Sequence, residues 1–195
     1  ASSFEIKSTR PSVGETIVTI VRDHIDYRKQ IFKLAGSDLR RTYRASALGW
    51  SWAIIKPLVT IFVYWFAFAI GLRRGGDIEG YPFVLWLISG IVPWFYMSEM
   101  LTLGTECILR NRYLVTKMKY PVSTIPTFTS ISKFSVHLIL MMITILIFVI
   151  TGNELTIYLV QLPFYMLCNF LFFTGWAMFA APIAAISTDF SNLVK

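Results

Sequence analysis

The sequence predicts an all-α integral membrane protein: an N-terminal amphipathic helix on the membrane surface, followed by four transmembrane helices. Three observations carry this. Only 15% of the 195 residues are charged, against about 25% in a soluble domain. Several apolar runs approach the roughly 20 residues that cross a bilayer. The net charge of +7 is unevenly spread, with ten of the 18 Lys and Arg before Pro57 and five more between Arg110 and Lys133. Basic residues that flank apolar spans mark the cytoplasmic side, so the N-terminus is expected inside the cell. Membrane orientation accounts for the basic character, and no nucleic acid is expected as a partner. Cys107 and Cys168 lack paired spacing and indicate neither a disulfide framework nor a metal site.

Residues 1–16 are polar, with Pro11 and Gly14, and read as a tail. Residues 17–51 read as the interface helix. Val21, Ile25, Phe32, Leu39 and Tyr43 fall on one narrow face at about 100° per residue. Arg22, Lys29, Lys33, Arg40 and Arg44 fall on the adjacent face. An apolar stripe beside a cationic one suits a helix lying in the membrane plane. Packing against a soluble partner is the alternative, and the two can coexist. Gly36-Ser37-Asp38 is expected to break or bend the helix, with Ser37 or Asp38 capping a second piece. From Ser37 to Pro57 the chain reads SDLRRTYRASALGWSWAIIKP, a basic half followed by two tryptophans and a proline. That is the order of a chain turning from the surface into the bilayer, with Pro57 expected in the first turn of the span.

Residues 52–195 form the transmembrane domain, with spans expected at about 52–72, 82–105, 134–151 and 155–187. The turn RRGGDIEG, with three glycines and no net charge, is expected outside, as is TGNELT. Pro93 should kink or break the second span. Pro163, Gly175 and Pro182 suggest a bent fourth span that reaches past the bilayer. Two cytoplasmic segments remain, 110–121 and 188–195. In the first, Leu114, Val115 and Met118 form an apolar face among Arg112, Lys117 and Lys119 until Pro121 stops it. The second opens with Thr188 or Asp189 as a cap, followed by Phe190.

Four stretches carry a resemblance: SDLRRTYRASALGWSWAIIKPL, YPFVLWLISGIVPWFYMSEMLTLGTECIL, LVTKMKYPVSTIP and ISTDFSNLV. In this order they resemble the permease subunit of ABC-2 type exporters of lipid-linked polysaccharides, the group that includes O-antigen and wall teichoic acid exporters. VYWFAFAIGLR and VTKMKYPVS look closest to the teichoic acid branch. The resemblance implies a multi-pass protein of the bacterial cytoplasmic membrane. It implies a homodimer around a polymer channel, with two copies of a separate ATP-binding subunit. It also implies six spans with re-entrant helices before the last, so this chain is expected to stop before the final two.

No G-x-x-x-x-G-K-[ST] occurs, so no ATP site of the P-loop kind is expected in this chain; ATP and magnesium belong to the partner subunit. By the same resemblance, segment 110–121 is a coupling helix that sits in a groove of the ATPase. An ordinary basic loop is the plainer reading of the same residues. Arg112, Leu114, Val115, Met118, Asp189 and Phe190 are the candidate coupling residues. Arg40, Arg41 and Arg44 are candidates to hold the pyrophosphate of a lipid-linked substrate, because guanidinium forks stay charged and bind phosphate in pairs of hydrogen bonds. Phospholipid binding serves the same residues equally well. Tyr64, Phe68, Trp94 and Tyr96 are the candidate channel-lining aromatics, since sugar C–H faces pack on aromatic rings. Tyr64 and Phe68 share a helix face, and Trp94 and Tyr96 follow Pro93.

Glu99 and His137 are the titratable groups nearest the bilayer interior and are expected to be structural, pairing with Lys133 or each other. A membrane-embedded transferase acting on lipid-linked sugars is a second function class; it needs clustered carboxylates, histidines or a metal, and only isolated Glu99 and His137 are present. A passive channel or scaffold is a third. It leaves the coupling segments without a purpose.

Overall fold

A computed structural model describes residues 12–43, 48–71, 76–78, 80–118, 120–153 and 156–195. Arg44, Lys119 and the arginines of RRGGDIEG lie outside the described residues. The described residues form nine α-helices and no strand, apart from one isolated bridge between Ile78 and Tyr81. Four helices are long and apolar enough to cross a membrane: Gly49–Gly71, Phe83–Gly104, Val122–Ile150 and Ile157–Ile186. The chain is an all-α integral membrane protein.

Helix α1 runs from Val13 to Asp26 and α2 from Arg28 to Tyr43. The first turn of α1 is closed by a capping box. Ser12 Oγ accepts from the Glu15 amide at 3.2 Å, and the Ser12 amide donates to Glu15 Oε2 at 2.8 Å. The helix thus begins inside the stretch that reads as a tail. The expected break at Gly36-Ser37-Asp38 is absent, because α2 passes through all three residues. The junction sits at Tyr27 instead, and even there the amides of Tyr27 and Ile31 keep their helical bonds to Asp23 and Tyr27. Tyr27 packs edge-on against Tyr120, with ring centroids 5.5 Å apart.

The first span joins a short 3-10 turn, Gly49–Ser51, to α3, Trp52–Trp65, and to a π-helical segment, Phe66–Gly71. Pro57 lies in the second turn of α3 rather than the first. The second span is α4, Phe83–Glu99, continued by a π-helical segment, Met100–Gly104. Pro93 does not break α4; the irregularity comes about two turns later, at Met100. Short helices α5, Cys107–Arg110, and α6, Arg112–Met118, follow.

The third span is α7, Ile125–Ile150, entered through a 3-10 turn at Val122–Thr124. It starts well before the expected Phe134. The residues between are polar but buried: Thr129, Ser130, Ser132 and Lys133 are all at most 5% exposed. Gly152, at φ 75°, ends α7 in a Schellman pattern, with the Asn153 amide bonded to the Phe148 carbonyl and the Gly152 amide to Val149. The fourth span is a 3-10 turn, Ile157–Gln161, and α8, Leu162–Ile186, which is continuous through Gly175 and Pro182. Helix α9, Thr188–Val194, closes the described chain, and its cap is Ser187 rather than Thr188 or Asp189.

Small residues let the spans approach closely, as membrane helices require when no water drives them together. Ala177, Ala180, Ala181 and Ala184 of α8 are at most 1% exposed. A Cβ on Gly104 would sit 3.2 Å from that of Ala177. The first span is the least covered, with 11% of its apolar window buried against 28% for each of the others. Its open side faces lipid or another protein.

Candidate functional site

The open side of α3 meets α4 in a groove of about 590 Å³ lined by Tyr64, Phe68, Trp86, Gly90 and Trp94. Tyr64 and Phe68 are stacked, with centroids 6.5 Å apart, the π-helical start at Phe66 placing Phe68 beside its neighbour. Three of the four aromatics expected to line a channel therefore share one surface, and each is about 40% exposed or more.

Tyr96 does not join them, which corrects the sequence reading. It is 3% exposed, and its hydroxyl lies 3.0 Å from Ser130 Oγ. Two residues along a helix amount to about 200°, so Trp94 and Tyr96 cannot present to one groove. Trp86 takes its place. The signal was the spacing of Trp86, Gly90 and Trp94, which puts a small residue between two indoles on one helix stripe.

A second region gathers at the other end of the bundle. Helices α1 and α2 dock along the start of α7: Ser123 Oγ donates to Asp23 at 2.8 Å, and His24 Nε2 lies 2.8 Å from Thr127 Oγ1. Ile31 and Ala35 are buried against Leu114 and Phe128. The stripe of Val21, Ile25 and Phe32 stays more than half exposed. The interface helix thus has two apolar sides: one packs on its own bundle, and the predicted one is left for another surface.

Arg40 and Arg41 are exposed on α2. The Arg41 guanidinium lies over the Tyr113 ring at 5.5 Å from the centroid. It also lines a polar hollow of about 230 Å³ together with Asp38, Arg110 and Asn111. Arg44, the third candidate, lies outside the described residues.

Within segment 110–121, α6 covers Arg112–Met118, and its apolar face is divided. Leu114 is 2% exposed and belongs to the core formed with Ile31 and Phe128, so it is not available to a partner. Val115 is partly buried against the same core. Met118, 66% exposed, and Arg112 face outward. The exposed ring of Tyr113 on the same helix was missed by the sequence reading.

Helix α9 is latched to the end of the second span. Ser191 Oγ donates to Glu106 Oε1 at 2.9 Å, and Lys195 Nζ lies 2.7 Å from the same oxygen. The Lys195 hydrogen bond holds the Glu106 carboxyl below its ordinary range against the opposing cost of burial. Asp189 is exposed in the first turn of α9, where the helix dipole favours a negative charge, and Phe190 is partly buried. Cys107 is buried, which pushes its thiol up to about 12 and leaves it a packing residue.

The ABC-2 type transporter family matches residues 29–194. The chain is similar to the O-antigen export system permease protein RfbA of Myxococcus xanthus, 26% identical over 182 residues that cover 92% of this chain and 67% of that protein. It is similar also to a protein of the same name from Klebsiella pneumoniae, 28% identical over 93 residues, covering 48% of this chain and 34% of that one. The chain thus spans about two thirds of the first relative and a third of the second.

Proposed function

The chain belongs to the ABC-2 type transporter family and is a transport component rather than an enzyme, and from that premise we propose that it is the permease subunit of an ATP-driven exporter. Its cargo is a lipid-linked cell-surface polymer, wall teichoic acid or a related polysaccharide. The carrying observation is the groove of Tyr64, Phe68, Trp86 and Trp94 on the least covered span. A second copy set against that side would turn an open aromatic surface into a lined passage, so the working unit is a homodimer. Aromatic faces pack on sugar rings without holding them as deep polar contacts would. The names of the relatives, which refer to O-antigen export, support the cargo class.

ATP binding and hydrolysis occur on two copies of a partner subunit. Force reaches the bundle through α6 and α9, whose outward residues are Arg112, Met118 and Asp189, with Phe190 partly covered and Leu114 and Val115 serving as the internal anchor of α6. The end carrying α1, α2 and α6 is cytoplasmic in a bacterial plasma membrane, by the charge rule. Arg40, Arg41 and Arg44 meet the anionic headgroups there, with the substrate pyrophosphate among them.

The test is reconstitution of the protein with the ATP-binding subunit that co-purifies with it. Polymer should cross vesicles only with both subunits and ATP. Nucleotide hydrolysis by the chain alone, or labelling of Arg40 from outside the cell, would overturn the reading.

A further inference from the structure

A small pocket of about 50 Å³ lies between α3, α4 and α7, lined by Lys56, Glu99, Lys133 and His137 together with Trp52 and Tyr96. Lys133 is 5% exposed, and its ammonium reaches one carboxylate oxygen of Glu99 at 3.5 Å. His137 is 3% exposed, and its Nδ1 has no hydrogen-bond partner among the described residues. Lys56, exposed on α3, is a second lysine in the lining.

An ion pair inside a span would be complete with Lys133 and Glu99 alone. The added lysine leaves the site with an excess of positive charge, and the added imidazole leaves a buried polar atom unanswered, which is costly in a membrane. Both are answered by an anion. We infer that this pocket binds a phosphate group. One water needs roughly 10–15 Å³ of such space, so the volume takes about four water-sized atoms, the oxygens of one phosphate. Lys56 lies seven residues into the Gly49–Gly71 helix. That is about 10 Å along it, close to the boundary between headgroups and acyl chains. Anions at that depth are the phosphates of lipids. Lys56 and Lys133 attract the group, His137 Nδ1 offers a hydrogen bond, and Glu99 opposes it and limits affinity.

The phosphate can come from a bilayer phospholipid or from the linker of a lipid-attached polymer. Only the second source rests on the exporter reading. The experiment is equilibrium binding to the exporter complex in detergent, using farnesyl diphosphate, dioctanoyl phosphatidylglycerol and the phosphate-free dioctanoylglycerol as probes. Both phosphate probes should bind in preference to dioctanoylglycerol. Lys56→Gln should weaken them roughly tenfold, and Glu99→Gln should tighten them. Lys56 is exposed, so its variant reads the site even where a change at Glu99 disturbs folding. Tighter farnesyl diphosphate identifies the polymer linker; tighter phosphatidylglycerol identifies the bilayer lipid; both support the pocket. Equal binding of dioctanoylglycerol, or an affinity unmoved by Lys56→Gln, overturns it. The assay needs neither polymer nor ATP, so its failure leaves the export reading standing, and failed export with intact binding leaves the pocket standing.

Discussion

The hydroxyl of Tyr96 lies 3.0 Å from Ser130 Oγ at the meeting point of three spans. Ser130 is in turn 2.6 Å from Thr174 Oγ1, and that hydroxyl donates to the Phe170 carbonyl. The chain ties α4 to α7 and α8 with every member partnered. Tyr96→Phe removes one link while Ser130 keeps Thr174. The expected loss is about 1 kcal/mol of stability in detergent unfolding. Transport per folded molecule should be unchanged, which separates this tyrosine from the groove aromatics.

Leu114 and Met118 share one turn of α6 but face opposite environments. Leu114→Asp places a charge in the core with Ile31 and Phe128 and should cost more than about 3 kcal/mol, seen as loss of folded protein. Met118→Asp falls on an exposed side chain. It should leave the unfolding midpoint in place and reduce co-purification of the ATPase. Full association with Met118→Asp would remove α6 from the coupling path.

Hydropathy made the four spans legible, and charge placement made the basic end legible. The early start of α7 was hidden because Thr129, Ser130, Ser132 and Lys133 look like surface residues in sequence. Ser130 and Lys133 are buried by cross-helix partners that only the fold supplies. The division of α6 was hidden for a related reason: an apolar face does not say whether its own bundle or a partner will cover it. The separation of Trp94 from Tyr96 was present in the sequence as a spacing of two, and the proline just before them drew attention from it.

Gly104 sits where the second span crosses α8. An added Cβ would lie 3.1 Å from Met100 Cε, which can swing away, and 3.2 Å from Ala177 Cβ, which cannot. Gly104→Ala should be near neutral, because the gain in helix propensity of up to about 1 kcal/mol offsets the crowding. Gly104→Val should cost about 1–3 kcal/mol by overpacking. Thermal unfolding of the two variants side by side tests the contact.

The latch on Glu106 should depend on pH. Its carboxyl is held below the ordinary value of 4.5, first by the Lys195 hydrogen bond. A lowered folded value means the carboxylate stabilises the docked state above that range and ceases to as pH falls through it. Helix α9 should stay protected from hydrogen exchange at neutral pH and open in acid below about 4.5. Glu106→Gln should open α9 at every pH and abolish the dependence. Protection of α9 that is flat with pH in the unaltered protein would mean that packing, and not this carboxylate, holds the helix.

The groove makes the sharpest demand on the export reading. Trp86 and Trp94 are 55% and 56% exposed, so Ala at either site removes little packing and should leave stability nearly unchanged. If sugar rings pass over these indoles, each lost aromatic contact is worth about 0.5–1.5 kcal/mol, a two- to tenfold change in transport rate. Phe at the same position should restore most of it, since a flat apolar face is what the sugar meets. Phe172 of α8, 68% exposed and outside the groove, is the control. Trp86→Ala and Trp94→Ala should slow ATP-dependent polymer export while Phe172→Ala does not. Equal losses at all three would assign the aromatics to general lipid contact and leave the groove without a role in transport.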